Sequence, residues 1–316
     1  MTARRQGVVV LGMHRSGTSV LTRAIDLLGF DLGNDVLPPQ PDNPKGFFEN
    51  KDVVMFNQRV LARLGVRWDS LIFSGPSAAE LDRLPGLVDR GWDIYQANFA
   101  AADKWVLKDP RLCVMMPLWQ RVFARDPDLD LRYIVAIRHP VEVVDSLIRR
   151  GKAVPNLYAY TQNPDAGYLF WLLFMTRALE AVGDNGALVS DFADLVRDPR
   201  GELRRVAGYL EAGNAETAAA ADVFAADFLD PALRQTKPPA DLESLRQSHP
   251  MVVDLYAALQ GVAAGTQSWA AAREVAQAMA LPLQYLDTVR RTEYGRLLQQ
   301  IQKLRQALES RKKPDP

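Results

Sequence analysis

The chain has 316 residues, 48% of them hydrophobic and 24% charged, a composition that excludes a disordered polar chain and fits a folded globular one. Its 38 basic and 38 acidic residues cancel, so no overall field recruits nucleic acid or an anionic membrane, and any anion site must be built locally. The single cysteine, Cys113, rules out an intramolecular disulfide, and it reads as a small core residue in a reducing, cytoplasmic setting. Val8 to Leu11 is too short for a signal-peptide core, and the longest apolar run, Tyr168 to Met175, falls short of the ~20 residues of a membrane helix.

The first element predicted is a strand over the β-branched run Val8-Val9-Val10-Leu11. It is followed by the turn Gly12-Met13-His14-Arg15-Ser16-Gly17-Thr18-Ser19 and a helix carrying Val20, Leu21, Ala24, Leu27 and Leu28. A strand, a glycine-bracketed turn and a helix in this order present unpaired amide donors and the positive end of a helix dipole at one place, which suits a phosphate. A nucleotide-triphosphatase loop requires Lys directly after the second glycine, and here Thr18 stands there.

Residues 33–46 contain four prolines and read as a long surface loop ending at Lys45-Gly46-Phe47-Phe48-Glu49-Asn50. Asn50 is a suitable N-cap for a helix with Val53, Phe56, Val60, Leu61 and Leu64 on one face. Residues 76–101 read as helical. Short apolar strands are then predicted at Trp105-Val106-Leu107, Tyr133-Ile134-Val135-Ala136-Ile137 and Ala187-Leu188-Val189, with a buried helix over Tyr168 to Val182. Beyond Pro238-Pro239 the composition shifts to Ala, Gln and Leu. Tyr294, Leu297, Ile301, Leu304 and Leu308 make a short a/d seam, either a lone amphipathic helix or a coiled coil joining a homodimer.

These elements predict an α/β fold with a central parallel sheet flanked by helices over 1–237 and a C-terminal helical extension over 238–316. In such sheets ligands sit beyond the carboxyl ends of the strands. The residues there are Arg15 in the first loop, Lys108-Asp109-Pro110-Arg111 after the second strand, Arg138-His139-Pro140 with Ser146 and Arg150 after the third, and Ser190-Asp191 after the fourth. Arg15, Lys108, Arg111 and Arg138 would make a cationic pocket in a neutral protein, suited to a ligand with two separated phosphates.

The sequence resembles the sulfotransferases that use 3′-phosphoadenosine 5′-phosphosulfate (PAPS). The turn from Gly12 to Ser19 is similar to their P-loop-like 5′-phosphosulfate loop in its bacterial and Golgi style, with Arg15 as the cation. Ile137-Arg138-His139-Pro140, with Ser146 eight residues after the arginine, resembles their 3′-phosphate motif, and Lys108-Asp109-Pro110 resembles a lysine motif of the same enzymes. The resemblance covers residues 7 to about 235.

It implies a P-loop NTPase-like sulfotransferase fold and a PAPS-dependent enzyme, with no metal required. The acceptor would be a hydroxyl of a glycan, glycolipid or small molecule. It implies that Arg15 and Lys108 neutralise charge between sulfur and the 5′-phosphate, that Ser16, Gly17, Thr18 and Ser19 hold that phosphate, and that Arg138, Ser146 and Arg150 hold the 3′-phosphate. Glu49 is the implied general base, ahead of the three histidines His14, His139 and His249. Its ordinary role would be an acidic residue at a helix start. Asp191 receives no contact, and Leu229 to Lys237 is a candidate cover over the donor. Trp68, Trp92, Tyr158 and Tyr160 are candidate acceptor-stacking residues. The alternative is a P-loop kinase or nucleotide hydrolase, against which Thr18 in the lysine position counts.

Overall fold

The computed structural model describes residues 5–289 apart from 41, 42, 44, 71, 72, 74, 154–162, 214, 215 and 229–241, and also residues 292, 300 and 304. Four strands form one parallel sheet: β1 (Arg5–Leu11), β2 (Lys104–Lys108), β3 (Leu129–Ile137) and β4 (Leu188–Asp191), in the order β2-β1-β3-β4. Val9 of β1 lies opposite Leu107 of β2 and Tyr133 of β3, and Val135 of β3 lies opposite Val189 of β4.

Between β1 and β2 run α1 (Thr18–Leu27), α2 (Lys51–Arg63), α3 (Ala78–Asp82) and α4 (Leu87–Phe99). Between β2 and β3 lies α5 (Leu112–Phe123), and between β3 and β4 lie α6 (Pro140–Ala153) and α7 (Pro164–Val182). After β4 come α8 (Phe192–Arg197), α9 (Pro199–Tyr209), α10 (Glu216–Phe228), α11 (Leu242–Ser248), α12 (Pro250–Ala263) and α13 (Trp269–Val289). The predicted helical stretch over 76–101 is two helices, because a left-handed Gly86 (φ 77°) stands at the start of α4.

Side-chain alternation along the strands divides the interior in two. Val9, Leu11, Leu107, Tyr133 and Val135 face one core, completed by α2, α4, α5 and α7 and by Val252, Val253, Leu255 and Tyr256 of α12. Val8, Val10, Val106, Ile134 and Ala136 face the other, completed by Leu21, Ala24 and Ile25 of α1 with α9 and α10. Covering helices on both faces explain why the strands read as unbroken apolar runs. Helices α12 and α13 therefore share a core with the sheet: α12 lies against β3, β4 and α7, and α13 against α7 and α12. Trp92 stacks on Tyr95 at 5.4 Å and packs against the first core, which makes it a packing residue.

Tyr158, Tyr160 and the segment Leu229 to Lys237 lie outside the described residues. So do Tyr294, Leu297, Ile301 and Leu308 of the expected seam; Leu304 is exposed. Among the described residues, no helix is long and apolar enough to cross a membrane.

Candidate active site

Because all four strands run the same way, the turns after β1, β2 and β3 open on one edge of the sheet. The first of these is tightly constrained. Gly12 (φ 155°) and Gly17 (φ 86°) bracket it, and Arg15 itself has φ 70°, an unusual conformation for a residue with a side chain. A β-carbon on Gly17 would lie 2.4 Å from the Phe192 ring, so only glycine lets the turn pass under the start of α8. The Ser16 amide donates to the Met13 carbonyl at 3.1 Å, closing the turn. The Gly12 amide donates to Cys113 Sγ at 3.2 Å, so the lone thiol acts as a buried acceptor; burial pushes its pKa up to about 12.

Gly17 caps α1 without a side-chain hydrogen bond, and the first helical bond runs from the Leu21 amide to the Gly17 carbonyl. The amides of Thr18, Ser19 and Val20 thus belong to the unsatisfied first turn of the helix. Ser16 is 1% exposed and its hydroxyl has no hydrogen-bond partner. A buried orphan hydroxyl beside free helix-start amides is what a bound oxyanion would satisfy.

Side chains from distant elements converge on this turn. Arg15 Nε donates to Ser146 Oγ of α6 at 2.9 Å, and Arg138 Nη1 donates to the Arg15 carbonyl at 3.3 Å. Arg138 Nε is held by Glu142 at 2.8 Å, one helical turn on, and its guanidinium lies 4.5 Å from the Phe192 ring centre. Lys108, 1% exposed at the end of β2, donates to Ser19 Oγ at 3.2 Å and to Glu49 Oε1 at 2.7 Å. Glu49 reaches that position because Asn50 caps α2, accepting from the Val53 amide at 3.2 Å.

Next to the turn lies a cavity of about 230 Å³, lined by His14, Arg15, Thr18, Ser19, Glu49 and Arg111 among others. Trp68, Phe47 and Arg150 also reach it, so one aromatic and one cation singled out in the sequence stand together here. Within this group Glu49 is the carboxylate and the arginines are the cations. The arrangement can bind a polyanion on the turn and take up a proton at Glu49 Oε, 2.7 Å from the Lys108 ammonium.

Three features escape sequence reasoning. His14 sits among Trp68 (4.4 Å), Phe174 (5.6 Å) and Phe170 (6.3 Å), and Nε2 has no partner. Burial first, then the charges of Arg111, Arg150, Lys108 and Arg15, hold its pKa well below the ordinary value, so the ring is neutral at physiological pH. Asp109, fully buried, accepts from Asn57 Nδ2 at 2.9 Å and from Arg111 Nη1 at 2.8 Å, while Trp119 Nε1 donates to Asn57 Oδ1 at 2.8 Å. Asp191, at the end of β4, caps α8 through the Ala193 amide at 2.9 Å and accepts from Gln260 Nε2 at 3.3 Å. Burial raises its pKa. The first of these was findable from His14 lying in the turn; the Asn57 and Gln260 contacts had no local signal.

No family model matches the chain, and no curated protein matches it. Among solved structures it is similar to the sulfotransferase domain from the Synechococcus PCC 7002 olefin synthase, at 17% identity, with 81% of this chain and 96% of that one covered and a TM-score of 0.43. It is also similar to the sulfotransferase domain from the curacin biosynthetic pathway, at 16% identity over 77% of this chain and 95% of that one, with a TM-score of 0.38. For sulfotransferase STF1 from Mycobacterium tuberculosis H37Rv the identity is 16%, the coverage 70% and 71%, and the TM-score 0.41.

Proposed function

We propose that the chain is a sulfotransferase that moves a sulfuryl group from PAPS to a hydroxyl of a glycan, glycolipid or small molecule and releases adenosine 3′,5′-bisphosphate. The observation that carries this reading is the bond from Arg15 Nε to Ser146 Oγ at 2.9 Å, joined by Arg138 on the Arg15 carbonyl. It brings two separately recognisable anion motifs into one interlocked site, which a ligand with a phosphate at each end would span.

In this reading Ser16, Gly17, Thr18 and Ser19 hold the 5′-phosphate through helix-start amides and hydroxyls, and Arg138, Ser146 and Arg150 hold the 3′-phosphate. Arg15 and Lys108 stabilise the charge that develops as the bond from sulfur to the phosphate oxygen breaks. Glu49 accepts the proton of the acceptor hydroxyl as its oxygen bonds to sulfur, so the proton ends on Glu49 and the electron pair on the released phosphate. Lys108 donates to both Ser19 and Glu49, which supports a reading with donor and acceptor chemistry side by side.

The test is a thermal-shift comparison of adenosine 3′,5′-bisphosphate, ATP, and ATP with Mg²⁺ on the full chain. The bisphosphate alone should stabilise the protein without metal, and Arg138→Ala should weaken its binding by about 10- to 100-fold, the value of a charge-assisted contact. Stabilisation only by ATP with Mg²⁺ would overturn the reading in favour of a kinase or hydrolase.

A further inference from the structure

We infer that Glu142 is a positioning residue: it fixes the edge on which Arg138 receives the ribose phosphate of the donor, so that the site takes a 3′-phosphate in preference to a 2′-phosphate. The inference rests on the sulfuryl-transfer reading, in which Arg138, Ser146 and Arg150 hold the 3′-phosphate.

Glu142 occupies a place at odds with its charge. It precedes Ser146 and Arg150 at intervals of four along α6, so the three residues share one face of that helix. Two of them are assigned to an anion, and the third is an anion that repels one. An acidic residue in a first turn favours the helix start, but that role needs only a charge near the turn and no ion pair. Here Arg138 Nε donates to the Glu142 carboxylate at 2.8 Å, and the two side chains are 15% and 20% exposed. The carboxylate is committed to Arg138.

That pair is one of three restraints on a single guanidinium. Glu142 takes Nε, the Arg15 carbonyl takes Nη1 at 3.3 Å, and the Phe192 ring centre lies 4.5 Å from the guanidinium carbon. The restraints come from α6, the turn after β1 and the start of α8, and Phe192 is itself packed against Gly17 of that turn. Among the described residues Nη2 has no hydrogen-bond partner, so its donors are the ones left for a ligand. A planar fork held at Nε, at Nη1 and on its face offers those donors in one direction only. Without Glu142 the Nε end is released, and the guanidinium can turn to follow a phosphate on the neighbouring ribose oxygen. The 2′- and 3′-phosphates carry the same charge on adjacent carbons, so direction, and not charge, is what separates them.

The full chain is titrated calorimetrically with adenosine 3′,5′-bisphosphate and with adenosine 2′,5′-bisphosphate, a charge-matched pair. Wild type should bind the 3′ isomer at least about tenfold tighter. Glu142→Ala should cut that ratio to about twofold or less, although Arg138, Ser146 and Arg150 are all still present. In Glu142→Gln the amide oxygen still accepts from Nε, so the ratio should stay within about twofold of wild type. Arg138→Lys keeps the charge without the fork and should lose the ratio as Glu142→Ala does. A merely structural role for Glu142 would weaken both isomers together and leave the ratio unmoved. The inference is overturned if wild type binds the isomers alike, or if Glu142→Ala or Arg138→Lys keeps the wild-type ratio. It is also overturned if Glu142→Gln loses the ratio as fully as Glu142→Ala. A wild-type chain that binds neither bisphosphate refutes instead the donor reading on which the inference stands.

Discussion

Lys108 and Glu49 form the pair whose disruption says most about this site. Their side chains are 1% and 9% exposed and 2.7 Å apart, so each is the main counter-charge of the other when no ligand is present. Removing one partner of a buried pair ordinarily costs ~3–5 kcal/mol, because the other is left as an uncompensated buried charge. In Glu49→Gln the amide oxygen keeps a hydrogen bond to Nζ, and the adjoining 230 Å³ cavity admits solvent. The expected loss is therefore smaller, about 2–3 kcal/mol, or a fall in Tm of about 3–5 °C for a chain of this size.

Lys108→Met should cost a similar amount, and the double variant clearly less than the sum of the two. If a donor phosphate replaces the carboxylate as the counter-charge, adenosine 3′,5′-bisphosphate should restore stability to Glu49→Gln beyond what it adds to wild type. Its affinity for that variant should rise by about tenfold through linkage. The assays are thermal unfolding of the four proteins with and without the bisphosphate, and calorimetric titration. A Glu49→Gln variant within about 0.5 kcal/mol of wild type would refute the counter-charge argument. So would equal stabilisation of both proteins by the ligand, or additive losses in the double variant.

Two further expectations follow from the same geometry. His14 has a folded-state pKa below the ordinary 6.5, so the unfolded chain binds the extra proton first. Its contribution to stability is thus full above about pH 6.5 and is lost as the pH falls from there through the folded value. Equilibrium urea unfolding between neutral and mildly acidic pH should show stability dropping, and His14→Phe should flatten that slope; an unchanged slope would show that His14 is not its source. Gly17→Ala combines a left-handed backbone with a β-carbon 2.4 Å from Phe192, so a loss of about 2–4 kcal/mol is expected. Adding Phe192→Ala should recover only the steric part, seen as a partial return of the urea midpoint.

Which parts of this protein were legible without coordinates follows from the range of the forces involved. Strands at Val8 to Leu11 and Tyr133 to Ile137, the cap Asn50, and the glycine-bracketed turn depend on residues within a few positions of each other: β-branching, side-chain capping, and the left-handed φ that glycine adopts at little cost. Local pattern therefore determined the α/β alternation, the strand ends as the place to look, and the identity of the cations there.

Partnership was decided by the tertiary structure alone. Arg15 meets Ser146 across 131 positions and Lys108 meets Glu49 across 59, contacts that exist only because β1 lies between β2 and β3. The same holds for Asp109 and Asn57, 52 positions apart, and for α12, whose apolar face completes the core beneath β3 and β4. Hydrogen bonds and burial act over a few ångströms in space and leave no periodic trace along the chain. The sequence could thus identify the charged groups, while the order of the strands set which of them face one another.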